Sequence, residues 1–186
     1  EVTVERRQIL PDGSEKRTPA EGDFLIFPPQ GIIPANGFQT FRVRYIGPAV
    51  DKTVLYVVTV AQLPVEVNSG KETGVQFLFH LGTLAAVSPL RSAAKLVVTN
   101  VKPSTTDNML TVTVRNDGNR YARLRNGKWK FSTRDGKQDT LEGEAIAKAL
   151  QQPLIEPGTT RINALPVPIG FDRTGATAEF DLAESL

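Results

Sequence analysis

The sequence predicts an all-β protein made of two sandwich units, and three observations lead there. Short runs of β-branched and aromatic residues recur along the chain, separated by Gly, Pro, Asn and Asp turn signals, at the spacing of a sandwich. Only one stretch, Glu142 to Leu150, reads as a helix. The 186 residues hold two sandwiches of roughly 90 each, on a prior of about 100–200 residues per domain. The expected division is 1–88 and 89–186.

The first unit opens with Val2, Val4 and Ile9-Leu10, an alternating run stopped by Pro11-Asp12-Gly13-Ser14. Arg17 to Asp23 is polar and reads as a loop or ragged edge. Phe24 to Phe27 is a short apolar strand ended by Pro28-Pro29. Ile32-Ile33-Pro34-Ala35-Asn36-Gly37 turns the chain into Phe38–Tyr45. There Phe41, Val43 and Tyr45 share one face, and Thr40, Arg42 and Arg44 the other, the pattern of a half-buried strand. Val54 to Leu63 is the most strand-prone segment of the chain, and Pro64 closes it.

Thr73 to Pro89 is the stretch around which the unit is organised. Alternation puts Val75, Phe77, Phe79 and Leu81 on one face and Gln76, Leu78, His80 and Gly82 on the other. Both faces carry apolar groups, so both need cover. Two readings follow: a central strand of its own sandwich, or a strand that lends its apolar row to another protein by strand addition. The unit then has five strands, where an immunoglobulin-like sandwich usually has about seven, which leads one to expect N-terminal strands beyond this chain.

The second unit is expected to contain strands at Leu96 to Val101, Leu110 to Val114, Tyr121 to Leu124, Lys128 to Phe131, Arg161 to Leu165 and Ala176 to Leu182. Asn116-Asp117-Gly118-Asn119, Asn126-Gly127 and Asp135-Gly136 mark turns between them. Trp129 reads as a core or rim aromatic. Leu154 to Gly158 leading into Arg161 faintly repeats Ile32 to Gly37 leading into Phe38, as a duplicated sandwich would.

Hydrophobic content of 40% and charged content of 23% are those of an ordinary globular chain. A net charge of +2 with scattered basic residues argues against nucleic acid as a partner. There is no Cys, hence no disulfide and no thiolate metal site. No apolar run reaches about 18 residues, which excludes a spanning helix, and Glu1-Val2-Thr3-Val4 is not a signal peptide. His80, the single histidine, lies among apolar neighbours without a nucleophile or metal motif. Asp135, Asp139, Glu142 and Glu144 do not follow calcium-loop spacing and read as a solvated turn and helix start. Neither an enzyme nor a cofactor is expected.

The run from Ile32 to Val43, Leu55-Tyr56 through Ala61-Gln62-Leu63-Pro64, and the alternating strand ending at Pro89 resemble the first domain of periplasmic pilus-assembly chaperones of the PapD-like, chaperone–usher family. Val114 to Arg123 and Ile155 to Arg161 are similar to the second domain of its non-classical (archaic) branch. The resemblance implies two immunoglobulin-like domains in a boomerang arrangement, the first lacking its N-terminal strands in this chain. It implies a periplasmic protein that binds pilus or fimbrial subunits by donor-strand complementation, delivers them to an outer-membrane usher, and self-associates through the donor strand when empty.

Carried over by position, the donor row is Val75, Phe77 and Phe79, with Leu81 extending it. The family's classical lysine late in that strand has no counterpart in Gly82 to Val87, so Arg42, Arg44, Arg91 and Lys95 stand as candidate anchors for a subunit's terminal carboxylate. The alternative reading is a structural or adhesive module of two sandwiches without chaperone activity.

Overall fold

A computed structural model describes residues 1–10, 14–64, 77–150 and 153–182. The chain forms two compact units, one of Glu1–Gln8, Glu15–Val50 and Val54–Val87, the other of Ile9–Ser14, Asp51–Thr53 and Ser88–Leu186.

The strands of the first unit are β1 (Val2–Ile9), β2 (Glu15–Pro19), β3 (Phe24–Phe27), β4 (Arg42–Tyr45), β5 (Val54–Ala61) and β6 (His80–Val87). They form a four-stranded sheet in the order β2-β1-β5-β6 and a separate ribbon, β3-β4. In the sheet Val2 faces Val60, Val4 faces Val58 and Arg6 faces Tyr56, while Val60, Val58, Tyr56 and Val54 face Leu81, Thr83, Ala85 and Val87 of β6. Residues in these rows share the inner face. Val2, Val4, Tyr56 and Val58 are buried there against Phe24 of the ribbon, with Ala85 and Val87 at the margin of the core. Phe24 meets the rings of Tyr45 and Tyr56 edge-on at 5.3 and 4.8 Å.

Tyr56 donates its hydroxyl proton to Asp23 Oδ2 at 2.9 Å. Burial, and next the hydrogen bond to Asp23, push its pKa above the ordinary tyrosine value.

Three expectations for this unit need correction. Of Arg17 to Asp23, expected as a loop or ragged edge, Arg17–Pro19 complete the edge strand β2, every residue of which is exposed, and Glu21–Asp23 form a 3-10 turn. β2 pairs with β1, and charge accompanies the pairing: Arg7 Nε donates to Glu15 Oε2 at 2.6 Å, and Arg17 reaches both Glu15 and Glu5. An apolar-periodicity reading does not register such a strand. The expected strand Phe38–Tyr45 is paired only from Arg42, because its partner β3 runs out at Phe27 and prolines follow.

The third concerns Thr73–Pro89. The assigned strand begins at His80, opposite Ala61, and Gln62 N still donates to Phe79 O at 2.9 Å. Pro64, which has no N–H to continue the ladder, lies two residues further on. This strand is also not central, since β6 closes one side of its sheet.

The second unit contains β7 (Leu96–Pro103), β8 (Met109–Asn116), β9 (Ala122–Arg123), β10 (Gly127–Ser132), β11 (Gln138–Glu142), α1 (Glu144–Ala149), β12 (Leu154–Ile155), β13 (Thr160–Pro166) and β14 (Thr177–Leu182). The sheets are β13-β8-β7 and β11-β10-β14, with a short pair β12-β9. Leu110, Val112 and Val114 of β8 meet Trp129 and Phe131 of β10 in a core that also takes in Leu124, Ile146, Ile155 and Leu165. Trp129, expected as a core or rim aromatic, is fully buried in the core, with its ring 4.7 Å from that of Phe180.

The acidic stretch is not only a turn. Gln138 to Glu142 hairpins back on β10, pairing Asp139 with Phe131 and Glu142 with Lys128. Gly143, at φ 61, then breaks strand from helix, so α1 is shorter at both ends than the expected Glu142–Leu150.

The turn at Asn116 to Asn119 is held by several side-chain hydrogen bonds to backbone. Asn116 is fully buried. Its Oδ1 accepts from the backbone N–H groups of Lys95 and Gly118, and its Nδ2 donates to the carbonyls of Arg120 and Ile155. Asn119 Oδ1 accepts from Ala93 N. Backbone therefore approaches backbone so closely that a Cβ at Gly118 would stand 2.3 Å from Ala93 O.

Candidate strand-addition edge

β6 offers two things at once: an open backbone margin and an apolar row. On one side its main chain is bonded to β5, and on the other no described strand covers it. Along the inner face, Val87 and Ala85 pack against the core, Thr83 follows, and then the row leaves the sandwich. Leu81 is 68% exposed, Phe79 64% and Phe77 73%. A side-chain row that starts inside its own domain and continues into solvent has no partner within that domain for its outer part.

Phe77, Phe79 and Leu81 are thus brought together on one margin. Val75 lies outside the described residues. Leu78 and Leu84, which point the opposite way, are exposed as well, at 44% and 36%.

The outer face of this sheet holds a shallow depression of about 660 Å³, floored by Thr3, Thr59 and Gly82 and rimmed by His80 and by the Arg7–Glu15–Arg17 cluster. Burial alone would raise the pKa of Glu15, but hydrogen bonds from Arg17 and Arg7 outweigh it and hold the carboxyl below its ordinary value. The charges in this cluster are thereby tied to one another. His80 is exposed, and its imidazole hydrogen-bonds no described residue. Among the described residues there is no group of three His, Cys, Asp or Glu side chains placed to hold a metal ion, and no helix long and apolar enough to cross a membrane.

The four candidate anchors are divided between the two units. Arg42 and Arg44 lie on the outer face of the β3-β4 ribbon, opposite Phe27 and Leu25, so they point away from the inner face on which the β6 row stands. Arg91 and Lys95 belong to the second unit. Arg91 is exposed, and Lys95 lends positive charge near Asp117, whose carboxyl is held below its ordinary value chiefly by its hydrogen bonds from Arg115. Arg6 continues the Val2, Val4 alternation onto the inner face of the β6 sheet and is exposed there.

Comparison with solved structures places this arrangement among known folds. The chain is similar to CfaA, a class 5 fimbriae chaperone, with a TM-score of 0.57 at 13% identity, over 98% of this chain and 85% of that one. It is equally similar to a chain from a chaperone–tip adhesin complex described as vital for synergistic activation of CFA/I fimbriae biogenesis, with a TM-score of 0.57 at 12% identity, covering 98% of this chain and 84% of that one. No family model matches the sequence, and no curated protein matches it.

Proposed function

We propose, from the immunoglobulin-like, two-domain β fold that the chain shares with the fimbrial chaperones, that it is a periplasmic chaperone that holds fimbrial subunits by donor-strand complementation and passes them to an outer-membrane usher. The observation that carries the reading is the exposure of Phe77, Phe79 and Leu81 along an unpaired strand margin.

A subunit whose sandwich lacks a strand exposes a groove with unpaired backbone on both sides. A donor strand fills both needs: main-chain hydrogen bonds bind it, and alternate side chains set its register. Each large apolar side chain moved from water into such a groove contributes about 1.5–3 kcal/mol. Three insertions plus the ladder are enough to hold a subunit with no cofactor and no nucleotide. A slip of one residue would present Leu78 and His80 in place of the aromatic row, so register also discriminates. With no subunit bound, two copies shield one another by pairing their β6 margins. An adhesive module of two sandwiches would seal this row in its own interior, an arrangement at odds with its exposure.

Co-expression with fimbrial subunits encoded beside the gene provides the test. Wild type is expected to raise the yield of soluble subunit, and Phe77→Asp and Phe79→Asp to abolish that gain. Equal recovery from all three chains would refute strand donation.

A further inference from the structure

The β3-β4 ribbon carries a second exposed surface, on the side facing away from the core. Antiparallel register sets Leu25 opposite Arg44 and Phe27 opposite Arg42, so one strand presents an apolar column and the other a basic one, about 5 Å apart. Leu25 is 55% exposed and Phe27 68%, and Ile46, next in the same alternation, is 55% exposed. Neither guanidinium forms an ion pair or hydrogen bond with any described residue, unlike Arg7, Arg17 and Arg115, each of which holds a carboxylate.

Two cations without a partner among the described residues, two residues apart along a strand, stand about 6.6–6.8 Å from each other, the same repeat as alternate side chains of any extended peptide. We propose that this face docks an extended acidic segment of a second protein, one in which carboxylates alternate with apolar side chains. The carboxylates meet Arg42 and Arg44 while the apolar groups cover Leu25 and Phe27. Charge complementarity selects this occupant. A lipid surface is a poorer match, since stable attachment of that kind uses clusters of about 4–8 basic residues. The ribbon belongs to a different sheet from β6, so the two surfaces are chemically and topologically separate.

The probe is a fluorescent ten-residue peptide alternating Glu and Val, titrated with the purified chain and read by anisotropy. The reasoning expects saturable binding that weakens as salt is raised. The double variant Arg42→Glu/Arg44→Glu should bind about 10-fold or more weakly, and Arg42→Gln/Arg44→Gln by a smaller factor, since it removes attraction without adding repulsion. Phe27→Ser should cost roughly 3–10-fold. Lys16→Gln, an exposed charge on the other sheet, should leave the affinity unchanged, which separates this surface from general charge attraction. All four variants change exposed side chains, and a thermal melt confirms that each is folded. The proposal is overturned if the peptide does not bind, if the charge-reversed variant binds it equally, if a Lys-Val peptide binds as well, or if anionic phosphatidylglycerol vesicles are captured and the peptide is not.

Discussion

Phe79→Ala separates the two roles an aromatic residue can have in a sandwich. The ring is 64% exposed. Taking an aromatic side chain as about 200 Å², roughly 130 Å² of it is available to a partner, worth about 3 kcal/mol at ~25 cal/mol per Å². Truncation to Ala keeps the strand and its backbone bonds, so a loss of about 2–3 kcal/mol is expected in the complex, or on the order of 30–150-fold in affinity. The free chain should hardly change, by about 0.5 kcal/mol or less, because little of the ring touches its own domain.

The assay has two arms. One follows exchange of a bound fimbrial subunit onto excess labelled wild-type chain, which should be faster from Phe79→Ala by that factor. The other is a thermal melt of the free variant, which should overlay the wild type. A melt lowered by many degrees would mean that the ring is an internal packing residue. Unchanged exchange with an unchanged melt would mean that the row does not enter the partner.

Two further expectations concern the scaffold. Asn116→Ala removes an acceptor shared by Lys95 N and Gly118 N and a donor to the carbonyls of Arg120 and Ile155; at about 1–3 kcal/mol for each buried group left unpaired, a loss of about 3 kcal/mol or more is expected, seen as a melt of the second unit lowered by on the order of 10–20 °C. An unaltered melt would show that water takes over those bonds. For Tyr56, the folded state holds its proton more tightly than the unfolded chain does. Its stabilising contribution is therefore complete below about pH 10, the unfolded value, and is lost as pH rises towards the folded one. Tyr56→Phe should cost about 1 kcal/mol at neutral pH and flatten the fall in stability above about pH 10, as measured by urea unfolding at a series of pH values. A parallel fall in both proteins would refute the assignment.

How much of this was legible in the sequence follows from what each element relies on. β1, β5 and β8 announce themselves because apolar alternation and β-branched side chains are what bury them, and the same holds for Trp129. β2 was legible only as a loop or ragged edge because all its side chains are exposed, and period-two hydrophobicity is silent about a strand without an apolar face. The first part of Phe38–Tyr45 was overread because alternation reports a face and says nothing about whether a pairing partner is long enough. Short elements such as β9 and β12, two residues each, owe their existence to neighbours distant in sequence.

At the candidate site the aromatic row could be read directly, but its exposure could not. Alternation alone fits a buried strand as well as a marginal one, and only sheet order tells them apart. Charge alone singled out Arg42 and Arg44, and it says nothing of the face on which the ribbon places them.

The four-stranded sheet is asymmetric in its two outermost strands. β2 ends one side with Glu15, Lys16, Arg17 and Pro19, all exposed, a fringe of charge and a proline that discourages further pairing. β6 ends the other side with nothing of the kind. Among the described strands, growth of this sheet is therefore discouraged on the β2 flank and left open on the β6 flank.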